Sequence, residues 1–349
     1  DLELYQNLQF HFMVIDEAQN IKNFATKNAE SVKEIKAITK FAVTGTPLEN
    51  SLADLWSIFD YCLPGYLKTY EIFKYEYEYD IVKFKDTAKI NRLNKLVAPF
   101  ILRRIKKDVL KELPDKLEQV VYAKMDQEQQ QVYHATIEQA KKQIMENSSN
   151  KMYIFSMLTR LRQICCHPKL YLQDYQGESA KLNLTLDLVE NSISGNHKIL
   201  IFSQFTSMLA ILQEELQKRN IQPFVLTGDT PAEKRYQMVE EFNQNSEIKV
   251  FLISLKAGGT GLNLTAADTV IHYDPWWNLS AENQASDRVH RIGQQKNVQI
   301  LKVIVKDSVE EKILNLQMLK KDLFNLVIGN EQEFVSKLTL NELLSLFND

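Results

Sequence analysis

Short apolar runs recur along the chain, at Phe10 to Ile15, Phe41 to Val43, Ile199 to Phe202, Pro223 to Leu226, Val250 to Ile253, Thr269 to His272 and Val298 to Val305. Segments with helical spacing lie between several of them. Continuous apolar runs alternating with helices predict parallel strands buried on both faces, and hence open α/β sheets whose ligands bind beyond the carboxyl ends of the strands. Helix boundaries are also legible. Thr230-Pro231-Ala232-Glu233 reads as a capping box with proline at the first helical position, and Ser308 with Glu311 as a second. The second opens an amphipathic helix through Ile313, Leu316, Leu319 and Leu323 that Gly329 can end. Asp126 with Gln129 starts a Gln-rich helix, and Ile154 to Cys166 carries Phe155, Leu158, Leu161 and Cys165 on one stripe before Pro168. Strand signals are sparse from Leu52 to Ser192, so the middle reads as helical, with Lys111 to Lys124 as a connector around Pro114. A second α/β region is expected from about His197.

Composition narrows the picture modestly. The 349 residues carry 44% hydrophobic and 25% charged side chains, enough apolar content for two cores. The net charge of -3 does not announce a nucleic-acid binder, so a DNA track would need basic residues gathered locally. Arg103, Arg104, Lys106 and Lys107 form one such cluster, which reads equally as a solvated helix face. Three cysteines, with Cys165 and Cys166 adjacent, argue against a disulfide framework or a zinc site and fit a reducing, cytoplasmic setting. No apolar run has the length of a membrane span, so no membrane partner is expected.

Candidate chemistry sits directly after the apolar runs. Asp16-Glu17-Ala18-Gln19 follows the first; a carboxylate pair at a strand end can hold Mg²⁺ and orient a water toward a phosphate, although such a pair alone is also an ordinary acidic strand end. Thr44-Gly45-Thr46-Pro47 follows the second, and alone it is a turn. Val250 to Ile253 runs into Ser254-Leu255-Lys256-Ala257-Gly258-Gly259-Thr260-Gly261. Three glycines in four positions let backbone N–H groups approach a phosphate, with Ser254, Lys256 and Thr260 as added donors. Ser280 can cap a helix running to Gly293, which would place Gln284, Arg288 and Arg291 on one face beside Asp287. Two such arginines suit stabilisation of charge on a transferring phosphoryl group, or an ordinary surface.

In their order and spacing, Asp16-Glu17-Ala18-Gln19, Thr44 to Asn50, Ser254 to Leu264, Asp274-Pro275-Trp276-Trp277-Asn278 and Gln284 to Gln294 resemble helicase motifs II, III, V and VI of the Swi/Snf family. Lys198 to Phe205 resembles motif IV; Phe100 to Lys107, Leu161 to Pro168 and Glu310 to Gly329 resemble further blocks of that family. The resemblance implies two RecA-like lobes, parallel sheets flanked by helices with largely helical protrusions between them. Residues 1–118 would belong to an incomplete first lobe with its protrusion and connector, 119–196 to the protrusion of the second lobe, 197–306 to the second lobe and 307–349 to a brace helix and tail. It also implies ATP and Mg²⁺ as cofactors and double-stranded DNA as the partner, with protein partners through accessory regions. By that resemblance Asp16 positions Mg²⁺, Glu17 is the general base, Gln19 links the site to the opposite lobe, and Arg288 and Arg291 are arginine fingers. Thr44, Gly45, Thr46, Gln284 and Asp287 would couple to ATP, and Ser254, Lys256, Gly258, Thr260 and Trp276 or Trp277 would lie along the DNA track. Two departures stand out: Gln19 replaces the family's usual His, and Asn278-Leu279 a common Asn-Pro.

A phosphate loop of the form G-x-x-x-x-G-K-S/T is expected before motif II, yet the fifteen residues ahead of Asp16 contain no glycine. The chain, which opens on Asp1, therefore reads as the later part of a DNA-translocating ATPase that does not turn over ATP alone. The alternative is a non-catalytic DNA- or protein-binding scaffold derived from a helicase C-terminal lobe.

Overall fold

The apolar runs fall on parallel strands in both halves of the computed structural model, in very different surroundings, although Phe41 to Val43 reaches only the last two residues of its strand, Lys36–Ala42. The structure describes residues 2–45, 52–84, 86–102, 104, 106–110, 112–146, 151–258, 261–276 and 279–324. Residues up to Val109 form one compact unit, and Leu110 to Lys321 a second.

The first unit contains α1 (Leu2–Tyr5), β1 (Gln9–Ile15), α2 (Lys27–Glu34), β2 (Lys36–Ala42), α3 (Leu52–Cys62), α4 (Tyr70–Phe73), α5 (Tyr79–Phe84), α6 (Thr87–Val97) and α7 (Lys106–Val109). A π-helical turn, Lys74–Glu78, joins α4 to α5. β1 and β2 pair in parallel with Ile15 opposite Ala42. Local capping fixes the helix starts: the Thr26 hydroxyl accepts the Ala29 N–H, and Asp86 accepts those of Ala88 and Lys89. Burial of both strand faces, expected from the apolar runs, does not occur here. Met13, Ile15 and Ala42 pack against Ile21, Ala29 and Tyr61, whereas Phe12 and Ile38 on the sheet are 68% and 64% exposed. Among the described residues this sheet has two strands, and helices cover one of its sides. A separate aromatic-rich core joins α3 to α6 through Leu55, Trp56, Phe59, Phe73, Tyr77 and Leu93.

The second unit contains β3 (Lys116–Ala123), α8 (Gln127–Glu146), α9 (Lys151–Cys166), α10 (Ala180–Ser194), β4 (Ile199–Ser203), α11 (Thr206–Lys218), β5 (Phe224–Leu226), α12 (Ala232–Gln244), β6 (Val250–Ser254), α13 (Leu255–Gly258), β7 (Thr269–His272), α14 (Leu279–Ser286), β8 (Val298–Val305) and α15 (Val309–Phe324). Among the described residues its six strands lie in the order β3-β8-β7-β4-β6-β5, and every pair is parallel. β4, β6 and β7 are buried along their whole length, with one apolar cluster on each side of the sheet. Chain order reverses at β4, with β6 on one side and β7 on the other, and in such sheets the ligand crevice lies beyond the strand ends at that reversal. Ser203, Ser254 and the segment after His272 occupy that position.

Three local expectations differ from the structure. Lys116–Ala123, within the stretch read as a connector, is an edge strand that pairs with all of β8. An edge strand needs little apolar content, because one flank and much of one face stay solvated. Thr230 does not cap α12; its hydroxyl accepts the Thr227 N–H in the preceding turn, and the helix starts at Ala232. At α15 the capping box is shifted: Ser308 accepts the Glu310 N–H and Glu311 reaches back to the Asp307 N–H. Gly329, the expected stop for this helix, lies outside the described residues.

A fully buried ion pair ties α10 to α15. The Lys181 ammonium donates to both Glu310 carboxylate oxygens at 2.7 and 2.6 Å, and Glu310 also accepts the Val305 N–H at 3.0 Å. Burial alone depresses the Lys181 pKa; the Glu310 carboxylate more than reverses this and holds the ammonium above its ordinary value.

Candidate functional site

In the first unit the strand ladder determines the geometry of the acidic motif. Val43 N–H bonds to Ile15 C=O at 2.8 Å and Ala18 N–H to Val43 C=O at 3.0 Å, so the chain after β1 stays beside the chain after β2. Between those two bonds, Glu17 adopts the left-handed conformation with φ 51° and ψ 52°. A non-glycine residue there costs about 1–3 kcal/mol, which surrounding contacts must offset. The Glu17 N–H donates to Asp16 Oδ1 at 2.8 Å. The Gln19 amide donates to Glu17 Oε2 at 2.6 Å, and the Thr44 hydroxyl donates to Gln19 Oε1 at 2.7 Å. Thr44, Gln19 and Glu17 thus form one hydrogen-bonded chain between two strand ends. Asp16 is exposed beside it, and Gly45 has open space where a side chain would stand. Thr46 lies outside the described residues.

In the second unit, the stretch after β6 is not an open glycine loop from its start. Leu255 to Gly258 makes a single helical turn, because Leu255 and Ala257 are drawn into the apolar cluster under the sheet. Ser254 is buried at the strand end, opposite Ser203. Lys256 and Gly258 belong to the turn, and Gly261 takes φ 56°. Thr260 lies outside the described residues.

The helix expected from Ser280 to Gly293 ends early, at Ser286. Beyond it the backbone tightens: Arg288 N–H bonds to Ala285 C=O and Val289 N–H to Ser286 C=O. The Arg288 carbonyl is taken by the Leu264 N–H at 3.1 Å, so it cannot continue a helical ladder. Gln284, Arg288 and Arg291 therefore do not share a stripe of one regular helix. Arg288 is 2% exposed and Gln284 half-buried. Arg291 is half-buried and donates to the carbonyls of Asp287 (3.1 Å) and Leu262 (3.4 Å), linking this turn to the segment after the glycines. Asp287 meets Arg291 through its backbone carbonyl. Gln294 completes the seam by donating to Ala267 C=O at 2.8 Å.

The segment after β7 is held by side chains from several helices. Asp274 is fully buried and accepts from the Ser203 hydroxyl and the Gln204 N–H. Burial pushes its pKa up, and the nearby Arg162 guanidinium opposes that. Arg162, on α9, donates to Gln204 Oε1 at 3.0 Å and to the Pro275 carbonyl. Glu282 accepts the Trp276 N–H at 3.3 Å, and Gln317 donates to the Trp276 carbonyl. The Trp276 ring packs against the sheet cluster; Trp277 lies outside the described residues. Sequence reasoning did not single out Arg162, Gln204, Glu282 or Gln317. For Arg162 the signals were its place in the Leu161 to Pro168 block and a basic residue beside the apolar stripe of α9.

Among the described residues no helix is long and apolar enough to cross a membrane. Residues 1–170 match the SNF2-related domain family, and residues 180–293 match the helicase conserved C-terminal domain. The chain is 37% identical to an uncharacterized ATP-dependent helicase of Mycoplasma pneumoniae, over 99% of this chain and 33% of that protein. It is 34% identical to the human SWI/SNF-related matrix-associated actin-dependent regulator of chromatin subfamily A member 1, over 93% of this chain and 32% of that protein. The chain thus spans about a third of the length of these curated relatives. Among solved structures it is similar to the Sulfolobus solfataricus SWI2/SNF2 ATPase core in complex with dsDNA, with 36% identity, a TM-score of 0.59, and coverage of 99% of this chain and 74% of that one.

Proposed function

The chain belongs to the SNF2-related, helicase-like ATPase family, and from that premise we propose that it is the later part of a motor that couples ATP hydrolysis to movement along double-stranded DNA. The observation that carries the reading is the Thr44–Gln19–Glu17 hydrogen-bonded chain at the ends of two parallel strands. A carboxylate held by an amide donor at 2.6 Å has a fixed orientation, which suits a general base for a water. Gln19 does this with an amide where the family's usual residue is His, and Thr44 fixes which end of the amide faces Glu17.

The residues present fit Mg²⁺: Asp16 offers an exposed carboxylate at a strand end, and Mg²⁺ takes one or two carboxylates while keeping several waters. Asp16 would hold the ion, and bound Mg²⁺ neutralises phosphate charge. Glu17 accepts the proton of the attacking water. Arg288 and Arg291 stabilise charge on the transferring phosphoryl group, with Gln284 and Asp287 beside them. Ser254, Lys256, Gly258 and Thr260, with Trp276 or Trp277, would serve the duplex contact.

No G-x-x-x-x-G-K-S/T sequence occurs within the 349 residues. Phosphoryl transfer depends on positioning the phosphates, which that loop performs. These residues alone are therefore expected to hydrolyse ATP no faster than buffer, with or without duplex DNA. A steady-state phosphate-release assay checks this, and DNA-stimulated release that disappears in Glu17→Gln refutes it.

Duplex binding tests the reading more directly. With a net charge of -3, binding must come from a local track of backbone donors and lysines that reads phosphates rather than bases. The expected dissociation constant lies near the non-specific range, about 10⁻⁴ to 10⁻⁶ M, and weakens steeply with salt. Fluorescence titrations of labelled duplexes at several salt concentrations measure it. Undetectable binding at low salt, or tight binding indifferent to salt, defeats the proposal.

A further inference from the structure

We infer that Arg162 and Gln317 are positioning residues: they latch the Pro275-Trp276 backbone from two separate helices and so set the presentation of the duplex-binding segment after β7. The inference rests on the proposed DNA track and adds to it two residues that do not themselves touch nucleic acid.

Three consecutive backbone groups of this segment are taken by side chains rather than by a sheet ladder. Arg162, from α9, takes the Pro275 carbonyl; Glu282, from α14, takes the Trp276 N–H; Gln317, from α15, takes the Trp276 carbonyl. Arg162 is also anchored at its other arm. Its second donor goes to Gln204 Oε1 at 3.0 Å, while the Gln204 N–H goes to Asp274, the residue just before Pro275. The guanidinium therefore closes a ring of contacts between the ends of β4 and β7 and a helix from much earlier in the chain. Its 2% exposure keeps water from competing for those bonds. Gln317 is 7% exposed and closes the far side of the segment.

A planar fork is what this geometry requires, because two acceptors in different directions must be met at once. A lysine at the same place keeps a positive charge beside buried Asp274 but meets only one of them. At Gln317, methionine keeps length and burial while removing the donor. Both substitutions loosen the segment and leave the rest of the core alone.

The test uses the 349-residue chain with a labelled duplex at low salt, in wild type, Arg162→Lys, Gln317→Met and the double variant. Each single variant is expected to bind about three- to tenfold more weakly, the factor that loss of one backbone contact implies. Acrylamide should quench tryptophan emission more strongly in each, with Trp56 contributing a constant background and thermal midpoints staying within a few degrees. Because both residues hold one segment, the double variant should lose little more than the weaker-binding single, whereas independent effects would multiply. Wild-type binding with unchanged affinity and quenching in both variants overturns the latch alone, as do multiplying losses. Absence of wild-type binding overturns the DNA-track reading itself, and the latch with it.

Discussion

Joined to a lobe that carries a phosphate-binding loop, the chain is expected to lose DNA-stimulated ATP turnover by about 10³-fold or more when Arg291 becomes alanine, the scale attributed to an arginine finger. Arg288 calls for a gentler change. It is 2% exposed, so removing the side chain opens a buried space, and Arg288→Lys keeps the volume and charge while removing the fork. The same loss of turnover is expected from it. The effect should fall on kcat more than on the KM for ATP, because charge on the transferring group develops in the transition state. Arg291→Ala also frees the carbonyls of Asp287 and Leu262. Circular dichroism must therefore accompany the assay, and a folded variant with near-full turnover removes that arginine from the mechanism. Glu17→Gln serves as the independent arm, with an expected loss of about 10² to 10⁴ from removal of a general base.

The largest expected effect on stability comes from the Lys181–Glu310 pair. Both side chains are 0% exposed, so each charge has exchanged its hydration for the other. Glu310→Gln leaves the ammonium buried without its counter-charge and should cost about 3–5 kcal/mol of unfolding free energy. Urea denaturation followed by circular dichroism reads this as a lower midpoint at unchanged slope. The double change Lys181→Met with Glu310→Leu should recover part of the loss, because an apolar pair of similar volume carries no ionic desolvation penalty while the buried Val305 N–H loses its acceptor. A Glu310→Gln variant within 1 kcal/mol of wild type, a margin typical of an exposed pair, would show that water reaches Lys181 in solution.

Much of the second unit was legible because its strands are buried on both faces. Thr269–His272 and Val298–Val305 match their apolar runs residue for residue, and Val250–Ser254 extends its run by one. The Asp126 cap on α8 and the stop before Pro168 were equally local, and the structure contains both. β3 was not legible. An edge strand of sequence KLEQVVYA lacks a continuous apolar run, and only the open flank of β8 makes it a strand. The expected helix to Gly293 failed for a related reason. Periodicity cannot register that Leu264, more than twenty positions earlier, takes the Arg288 carbonyl.

The sequence by itself determined the family, through the order of Asp16-Glu17-Ala18-Gln19, Thr44-Gly45, Ser254 to Gly261 and Asp287 to Gln294, and it determined the parallel α/β class of the sheets. Those signals are local in the chain, where spacing and composition act directly. Only the tertiary structure decided how each polar group is used. It placed Glu17 in a left-handed turn with Gln19 and Thr44 at its carboxylate, and it placed Arg162 on a carbonyl 113 residues away. It also paired Lys181 with a carboxylate 129 residues away. A buried polar side chain must find a partner wherever the fold brings one within about 3 Å, and that partner is set by packing, which no local pattern encodes.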